Sequence, residues 1–373
     1  MSVFYLPDKS KPFKYDIALC KQCGFIFADN IPSQKEYEIF YKNNAKYVYN
    51  ENIPAGLKKI YKIIFLVGIN FLKKYYRGLD KNKFKVLDIG CSIGYILNLF
   101  KRSGFREIKG IEPSLYCRTV AKKLYGIEVI NSPLSKFKNN EKFGLIIMTG
   151  VLEHVCSLNE TLRKVSDLLD DNGLLMTVVP DVDKFSRNPC VPFDEFSIEH
   201  INYFNKNTLS NLAGEHCFKN IYTKKIDSKF YDSNSILSIF KKTNEKIKIK
   251  NDRCSYLAVK RYISASERQL NIIKRMIRYL TKSKSPIVIW GAGSLTGRLL
   301  VSTDLLMANI KFFVDSNKML QGKRICNIAI VSPDIFKKLN KEYKVLISSH
   351  TYGREMKDIL ANKYGFKGEA VML

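Results

Sequence analysis

The chain lacks what a membrane-spanning or exported protein needs. No apolar run reaches the length of a membrane span; the nearest, Ile60 to Leu72, is broken by lysine, glycine and asparagine and followed by Lys73-Lys74. The opening Met1-Ser2-Val3-Phe4-Tyr5 shows neither the charged nor the apolar region of a secretory signal. Nine scattered cysteines therefore read as reduced thiols of a cytoplasmic protein. No polar low-complexity tract argues for disorder, and 46% hydrophobic residues suffice for packed cores. Acid is scarce: 35 Asp and Glu stand against 62 Lys and Arg, a formal charge of +27. Lysine greatly outnumbers arginine and is spread along the whole chain. Nucleic-acid recognition instead gathers arginine and aromatics into a patch, so solvated lysine faces are expected and nucleic acid is not the expected partner. Histidine occurs only four times, which shortens the search for an acid–base catalyst.

With 373 residues the chain exceeds one ordinary domain. Four regions stand out. Residues 1–55 hold Cys20-Lys21-Gln22-Cys23-Gly24 and a tyrosine-rich stretch. Residues 56–225 alternate apolar strands (Lys85–Ile89, Glu107–Glu112, Glu128–Ile130, Leu145–Thr149, Leu174–Pro180) with helical patterns such as Thr119–Tyr125 and Leu158–Leu169. Such alternation predicts a parallel, doubly wound α/β sheet. Residues 226–280 are lysine-rich, end in the amphipathic stretch Ser266–Leu280, and are expected to be a helical connector. Residues 281–373 open a second, smaller βαβ unit: the strand Pro286–Trp290 runs into Gly291-Ala292-Gly293, with further strands at Ile310–Val314 and Lys344–Ser348.

Asp88-Ile89-Gly90-Cys91-Ser92-Ile93-Gly94 follows a buried strand and opens a helix near Tyr95. Glycines there let the backbone approach a ligand, and the helix start favours negative charge. The pattern D-x-G-x-x-x-G departs from the dinucleotide G-x-G-x-x-G. It suits a ligand without a pyrophosphate, such as S-adenosylmethionine, whose carboxylate can use the same amides. Glu112 ends the next strand, where a carboxylate can accept ribose hydroxyls. Residues 85–220 resemble a class I S-adenosylmethionine-dependent methyltransferase of Rossmann-like fold. The resemblance rests on Val86–Gly94, Glu112 and the Leu152-Glu153-His154 tripeptide. It implies S-adenosylmethionine as cofactor, with Asp88, Gly90, Cys91 and Gly94 at its methionine end, Glu112 at the ribose, and Thr149 and Gly150 alongside.

Methyl transfer from a sulfonium is an in-line displacement, so the protein must align the acceptor and take its proton. Imidazole suits that role at neutral pH. His200 is the best candidate, in Phe196-Ser197-Ile198-Glu199-His200-Ile201-Asn202-Tyr203-Phe204 after the fifth strand. Glu199 is expected to orient it, and Tyr203 and Phe204 to wall the substrate. His154 is the second candidate; His216 and His350 read as structural.

The whole layout resembles the three-domain sugar C-methyltransferase family, with an N-terminal zinc-binding segment, a central methyltransferase and a C-terminal Rossmann-like domain. Cys20–Gly24, Asn30-Ile31-Pro32-Ser33 and Tyr41/Tyr47 carry the first part of that resemblance and Glu199-His200 the second. Trp290–Ser294 with Val314–Asn317 carry the third. The resemblance implies a nucleotide-activated sugar or surface-glycan precursor as acceptor, methylated on carbon or oxygen, and a basic surface would attract such an anion. This chain departs from the family in three places. One C-x-x-C pair replaces the two that a tetrahedral zinc needs, so the first segment reads as a truncated zinc ribbon; zinc at Cys20 and Cys23 is not expected, nor a metal elsewhere. Ser197 and Ile198 replace a tyrosine and a histidine before Glu-His, and Asp232-Ser233-Asn234-Ser235 replaces a glycine-rich loop. Two alternatives stand beside this reading. An RNA methyltransferase is suggested by charge, although Thr149-Gly150-Val151-Leu152 lacks the Asn/Asp-Pro-Pro-aromatic motif of base N-methylation, and Cys156 and Cys190 lack the context of a cytosine nucleophile. A non-catalytic cofactor-binding subunit is disfavoured by intact Asp88, Gly90 and Glu112.

Overall fold

Val86–Ile89 is buried at every position, as are six of the seven residues of Phe143–Thr149. Unbroken apolar runs of this kind belong to strands covered on both faces by helices. The computed structural model describes residues 2–4, 8, 11–37, 53–186, 191–226, 234–350 and 352–373. Tyr41, Tyr47, Cys190, Asp232 and Ser233 fall outside that set.

The central sheet has seven strands, in the order Phe218–Ile226, Ser235–Lys242, Leu169–Pro180, Phe143–Thr149, Val86–Ile89, Ile108–Ile111, Val129–Ile130. All run in one direction except Ser235–Lys242, which is antiparallel to both its neighbours. This is a Rossmann-like methyltransferase fold. The chain builds outward from Val86–Ile89 on one side, then crosses to Phe143–Thr149 on the other, so a crevice opens at the C-terminal ends of these two strands. Two apolar cores fill the two faces, one around Leu87, Ile146 and Phe240, the other around Val86, Ile147 and Leu237.

Residues 226–280 are not all connector. Ser235–Lys242 lies inside the central sheet, its Ser235–Lys241 paired with Leu174–Pro180. Its apolar run Ile236–Phe240 is buried on both faces, and the lysines around it hide that run from a composition-based reading. The helix that follows, Cys254–Lys282, is longer than the expected Ser266–Leu280. Among the described residues no helix is long and apolar enough to cross a membrane.

Residues 2–29 supply three antiparallel strands, Ser2–Phe4, Phe13–Leu19 and Ile26–Asp29, and the fourth strand of that sheet is Asn202–Tyr203. Cys20 and Cys23 sit in the hairpin turn, where the Cys20 amide donates to Phe25 O at 2.8 Å and the Gly24 amide to Cys20 O at 2.9 Å. Gly24 is required: its φ is +78° and a Cβ would fall 1.8 Å from Asp252 O. Among the described residues no third Cys, His, Asp or Glu joins the pair in a metal-binding group. The C-terminal unit is a six-stranded sheet, parallel except for its edge strand Arg324–Ile325. Asp8 ties the N-terminal strands to it: the Asp8 amide donates to Arg324 O at 2.8 Å, and the Arg324 amide to Asp8 Oδ1 at 3.0 Å. A further core joins Tyr15, Ile26 and Tyr37 to Phe185, Phe196, Tyr203 and to Tyr262 of the long helix.

Candidate active site

The loop after Val86–Ile89 is shaped by its glycines. Gly90 has φ +71°, and a Cβ there would lie 2.6 Å from Val151 Cγ2. Gly94 has φ +75° and begins the helix Tyr95–Arg102. Ser92 adopts φ +49°, a conformation disfavoured for a side-chain-bearing residue. Glu112 supports it: its carboxylate accepts from the Ser92 amide at 3.1 Å and from the Ser114 amide at 2.9 Å. The acid that ends the second strand thus holds the loop that ends the first.

A small pocket lies at this loop, lined by Asp88, Gly90, Cys91 and Thr149 from the expected set. Ile53, Tyr61, Ser92 and Tyr95 line it as well, and the sequence reading missed them. Tyr95 opens the helix and Ser92 lies within the motif, so proximity was a signal for both; Ile53 and Tyr61 precede the first strand and carried none. Gly94 and Gly150 act on the backbone instead. A Cβ at Gly94 would touch Ala121 at 3.4 Å, and the Gly150 amide donates to Val178 O at 2.9 Å. Asn131 is taken up structurally, donating to the carbonyls of Glu112 and Pro113.

The pocket is acidic in a strongly basic chain. Asp88 is 1% exposed, and neither carboxylate oxygen has a hydrogen-bond partner among the described residues. Burial first, and then the charge of Glu112, push its pKa well above the carboxylate range. Burial also raises Glu112, opposed by the amides of Ser114 and Ser92. Cys91 is pushed up by burial, then by Asp88 and Glu112, so it is a neutral thiol and no nucleophile. The Thr149 hydroxyl is also buried without a hydrogen-bond partner. A ligand with cationic and hydrogen-bonding groups would satisfy what this pocket leaves open.

From Thr149 the chain enters the turn Leu152–His154. The His154 and His200 rings meet edge to face with centroids 4.9 Å apart. The sequence reading ranked the two separately; the fold makes them a pair. His154 Nδ1 lies 2.8 Å from the Glu199 carbonyl, which only accepts, so Nδ1 carries a hydrogen and donates it. Glu153 is 3% exposed, its Oε2 has no hydrogen-bond partner among the described residues, and burial raises its pKa against the opposing His154. Glu153, His154 and His200 offer one ligand-capable atom each, all within 4.8 Å of one another.

Two expectations need correction. Tyr203 does not wall a substrate: it is 1% exposed, and its hydroxyl donates to the His200 carbonyl at 2.7 Å. Phe204 is wholly buried in the central core. The segment is covered on both faces, so Tyr203 enters the core with Tyr15 and Ile26, and Phe204 the central core. The main-chain carbonyl of Glu199 accepts from His154 Nδ1. His216 caps a helix and contacts Asn159 Oδ1 at 3.0 Å, in keeping with a structural role.

Residues 59–223 match the family described as "Methyltransferase domain". The central region thus carries a methyltransferase domain. (S)-coclaurine N-methyltransferase of Papaver somniferum is 28% identical over 106 residues, covering 26% of this chain and 30% of that protein. Ubiquinone biosynthesis O-methyltransferase of Rickettsia prowazekii is 24% identical over 147 residues, covering 38% of this chain and 57% of its own length. The matched stretches thus span about a third to just over half of these relatives. The structure of 1,6-didemethyltoxoflavin-N1-methyltransferase from Burkholderia thailandensis aligns with 62% of this chain and all of that one, at 14% identity and a TM-score of 0.43. S-adenosylmethionine is the cofactor of such domains, and the residues at the pocket are compatible with it: the Asp88 carboxyl, without a hydrogen-bond partner among the described residues, could meet a cationic group, and the glycine loop leaves room for close backbone approach, whereas Glu112 lies behind the pocket with its two oxygens on the Ser92 and Ser114 amides.

Proposed function

We propose that the protein transfers a methyl group from S-adenosylmethionine to a small-molecule acceptor, with His200 taking the acceptor proton beside His154. The observation that carries this reading is Asp88: a buried carboxyl without a hydrogen-bond partner among the described residues, at the wall of a pocket whose loop ends at Gly94, directly before Tyr95, and whose far strand leads into the imidazole pair. When bound, the sulfonium supplies an activated methyl and leaves as a neutral thioether. The chain's own residues do the rest. Gly90 to Gly94 and Glu112 shape the cofactor's seat, and Asp88 compensates positive charge within it. His200 accepts the proton from the acceptor's hydroxyl or acidic carbon as the new bond to methyl forms, so one proton leaves for each methyl gained. His154 is held in orientation by its Nδ1–H, which donates to Glu199 O.

The finer proposal is a nucleotide-activated sugar or glycan precursor as acceptor. The resemblance of Glu199-His200 and of the C-terminal unit to the sugar-methylating family supports it, as does the net charge of +27, which draws anions. Incubation with methyl-labelled S-adenosylmethionine, a nucleotide-sugar pool and, in parallel, total RNA tests the proposal. Label in the sugar fraction is expected, with the attachment atom read by NMR; label confined to RNA refutes it.

A further inference from the structure

Every carbonyl oxygen from Phe196 to Ile201 is taken by a hydrogen bond, and the donors come from all three parts of the chain. Arg298, on the helix Ser294–Ser302 of the C-terminal unit, donates to Phe196 O at 2.7 Å. The Tyr15 hydroxyl of the N-terminal sheet donates to Ser197 O at 2.9 Å, and Tyr37 to Ile198 O at 2.8 Å. His154 holds Glu199 O at 2.8 Å and Tyr203 holds His200 O at 2.7 Å. The Ala28 amide holds Ile201 O at 2.8 Å. On the donor side, the His200 amide is bound to Ser197 Oγ at 3.1 Å and the Ile201 amide to Glu153 O at 2.8 Å.

Such a segment is not an ordinary surface loop. Loops keep many of their carbonyls for water, whereas this one has each carbonyl assigned to a named donor. Arg298 is the costliest part: a guanidinium 6% exposed, 5.8 Å from the Phe193 ring centroid, reaching across a domain boundary to a main-chain oxygen. A buried cation is retained only where its partners are well placed. Here its partner lies four residues before His200.

We propose that the N-terminal sheet and the C-terminal domain are positioning devices for the acceptor half of the active site: Arg298, Tyr15 and Tyr37 hold residues 196–201 so that His200 stands against His154. The cofactor pocket, lined by residues between Ile53 and Thr149, needs neither. Its seat is therefore built without the N-terminal sheet or the C-terminal domain, while the acid–base pair is assembled by the whole chain. The catalytic consequence rests on the methyltransferase reading above; the clamp itself does not.

The test uses the full chain and the conservative variants Arg298→Lys, Tyr15→Phe and Tyr37→Phe, which remove one donor or its geometry with little loss of volume. Hydrogen–deuterium exchange of the peptide covering 193–204 is expected to rise at least tenfold in each variant, most at the His200 and Ile201 amides. Exchange over 86–112 and the affinity for S-adenosylhomocysteine should stay within twofold of wild type. With only four histidines, ¹⁵N-imidazole spectra resolve His154, and the variants should lose the fixed Nδ1–H donation. Unchanged exchange over 193–204 overturns the clamp. A rise shared equally by 86–112 also overturns it, since the residues would then serve general stability. Failure of wild type to bind S-adenosylhomocysteine would instead remove the methyltransferase reading and leave the exchange result standing.

Discussion

Asp88→Asn should make the protein more stable and bind its cofactor more weakly. The native carboxyl is 1% exposed with both oxygens unpartnered, so its ionised form is costly in the empty protein. Asparagine removes the charge at nearly constant volume but still buries polar atoms, so the gain is partial, roughly 1 kcal/mol, or about 2–4 °C in midpoint for a domain of this size. The gain should grow with pH, because at low pH the raised pKa of Asp88 already keeps it neutral. In the complex the sign reverses. Losing a charge-assisted contact costs about 1.5–3 kcal/mol, an affinity loss of about 10- to 150-fold. Differential scanning fluorimetry of the empty protein at several pH values reads the first effect, and isothermal titration with S-adenosylmethionine and S-adenosylhomocysteine reads the second. Equal losses for both ligands point to their shared ammonium, and a larger loss for the first points to the sulfonium. A variant that binds both as tightly as wild type would refute the reasoning, because the unpartnered carboxyl would then have no cation to meet.

Glu112→Ala should reduce cofactor affinity at least tenfold and also lower stability by about 1–3 kcal/mol, since the Ser92 and Ser114 amides lose their acceptor; titration calorimetry and thermal melts separate the two effects. The raised pKa values of Asp88 and Glu112 set a pH dependence. The folded protein holds these protons longer than the unfolded chain, so their contribution is fully present below about pH 4 and is lost as pH rises through the raised folded values. The thermal shift given by cofactor should accordingly increase over that interval; a flat profile counts against it. His200→Ala should lower turnover by roughly a hundredfold or more with cofactor binding intact, and near-normal turnover would transfer the role to His154. Because Glu153, His154 and His200 gather three ligand-capable atoms within 4.8 Å, added zinc should inhibit methyl transfer and a chelator restore it; activity that a chelator abolishes would make the trio a metal centre.

The sequence by itself determined the central domain. Apolar strands at regular spacing, a turn glycine whose φ is positive, and an acid at the end of the next strand are local features, and local features survive in a linear reading. Asp88, Gly90, Cys91 and Thr149 were implied by the family resemblance that these features carry, and the fold brings them to one pocket. Only the tertiary structure decided the acceptor side. His154 and His200 are 46 positions apart in the chain, and their ring contact depends on a strand end and a loop meeting in space. Tyr203 looked like a substrate wall because an aromatic beside a histidine carries no sign of which way it faces; pairing with Ile26 turned it inward. Ser235–Lys242 was hidden by flanking lysines, since a strand buried on both faces shows no alternation to find. The clamp lay beyond reach for the same reason. A main-chain carbonyl is common to every residue, so nothing in the letters 196–201 tells that Arg298, Tyr15 and Tyr37 will be the groups that bind it.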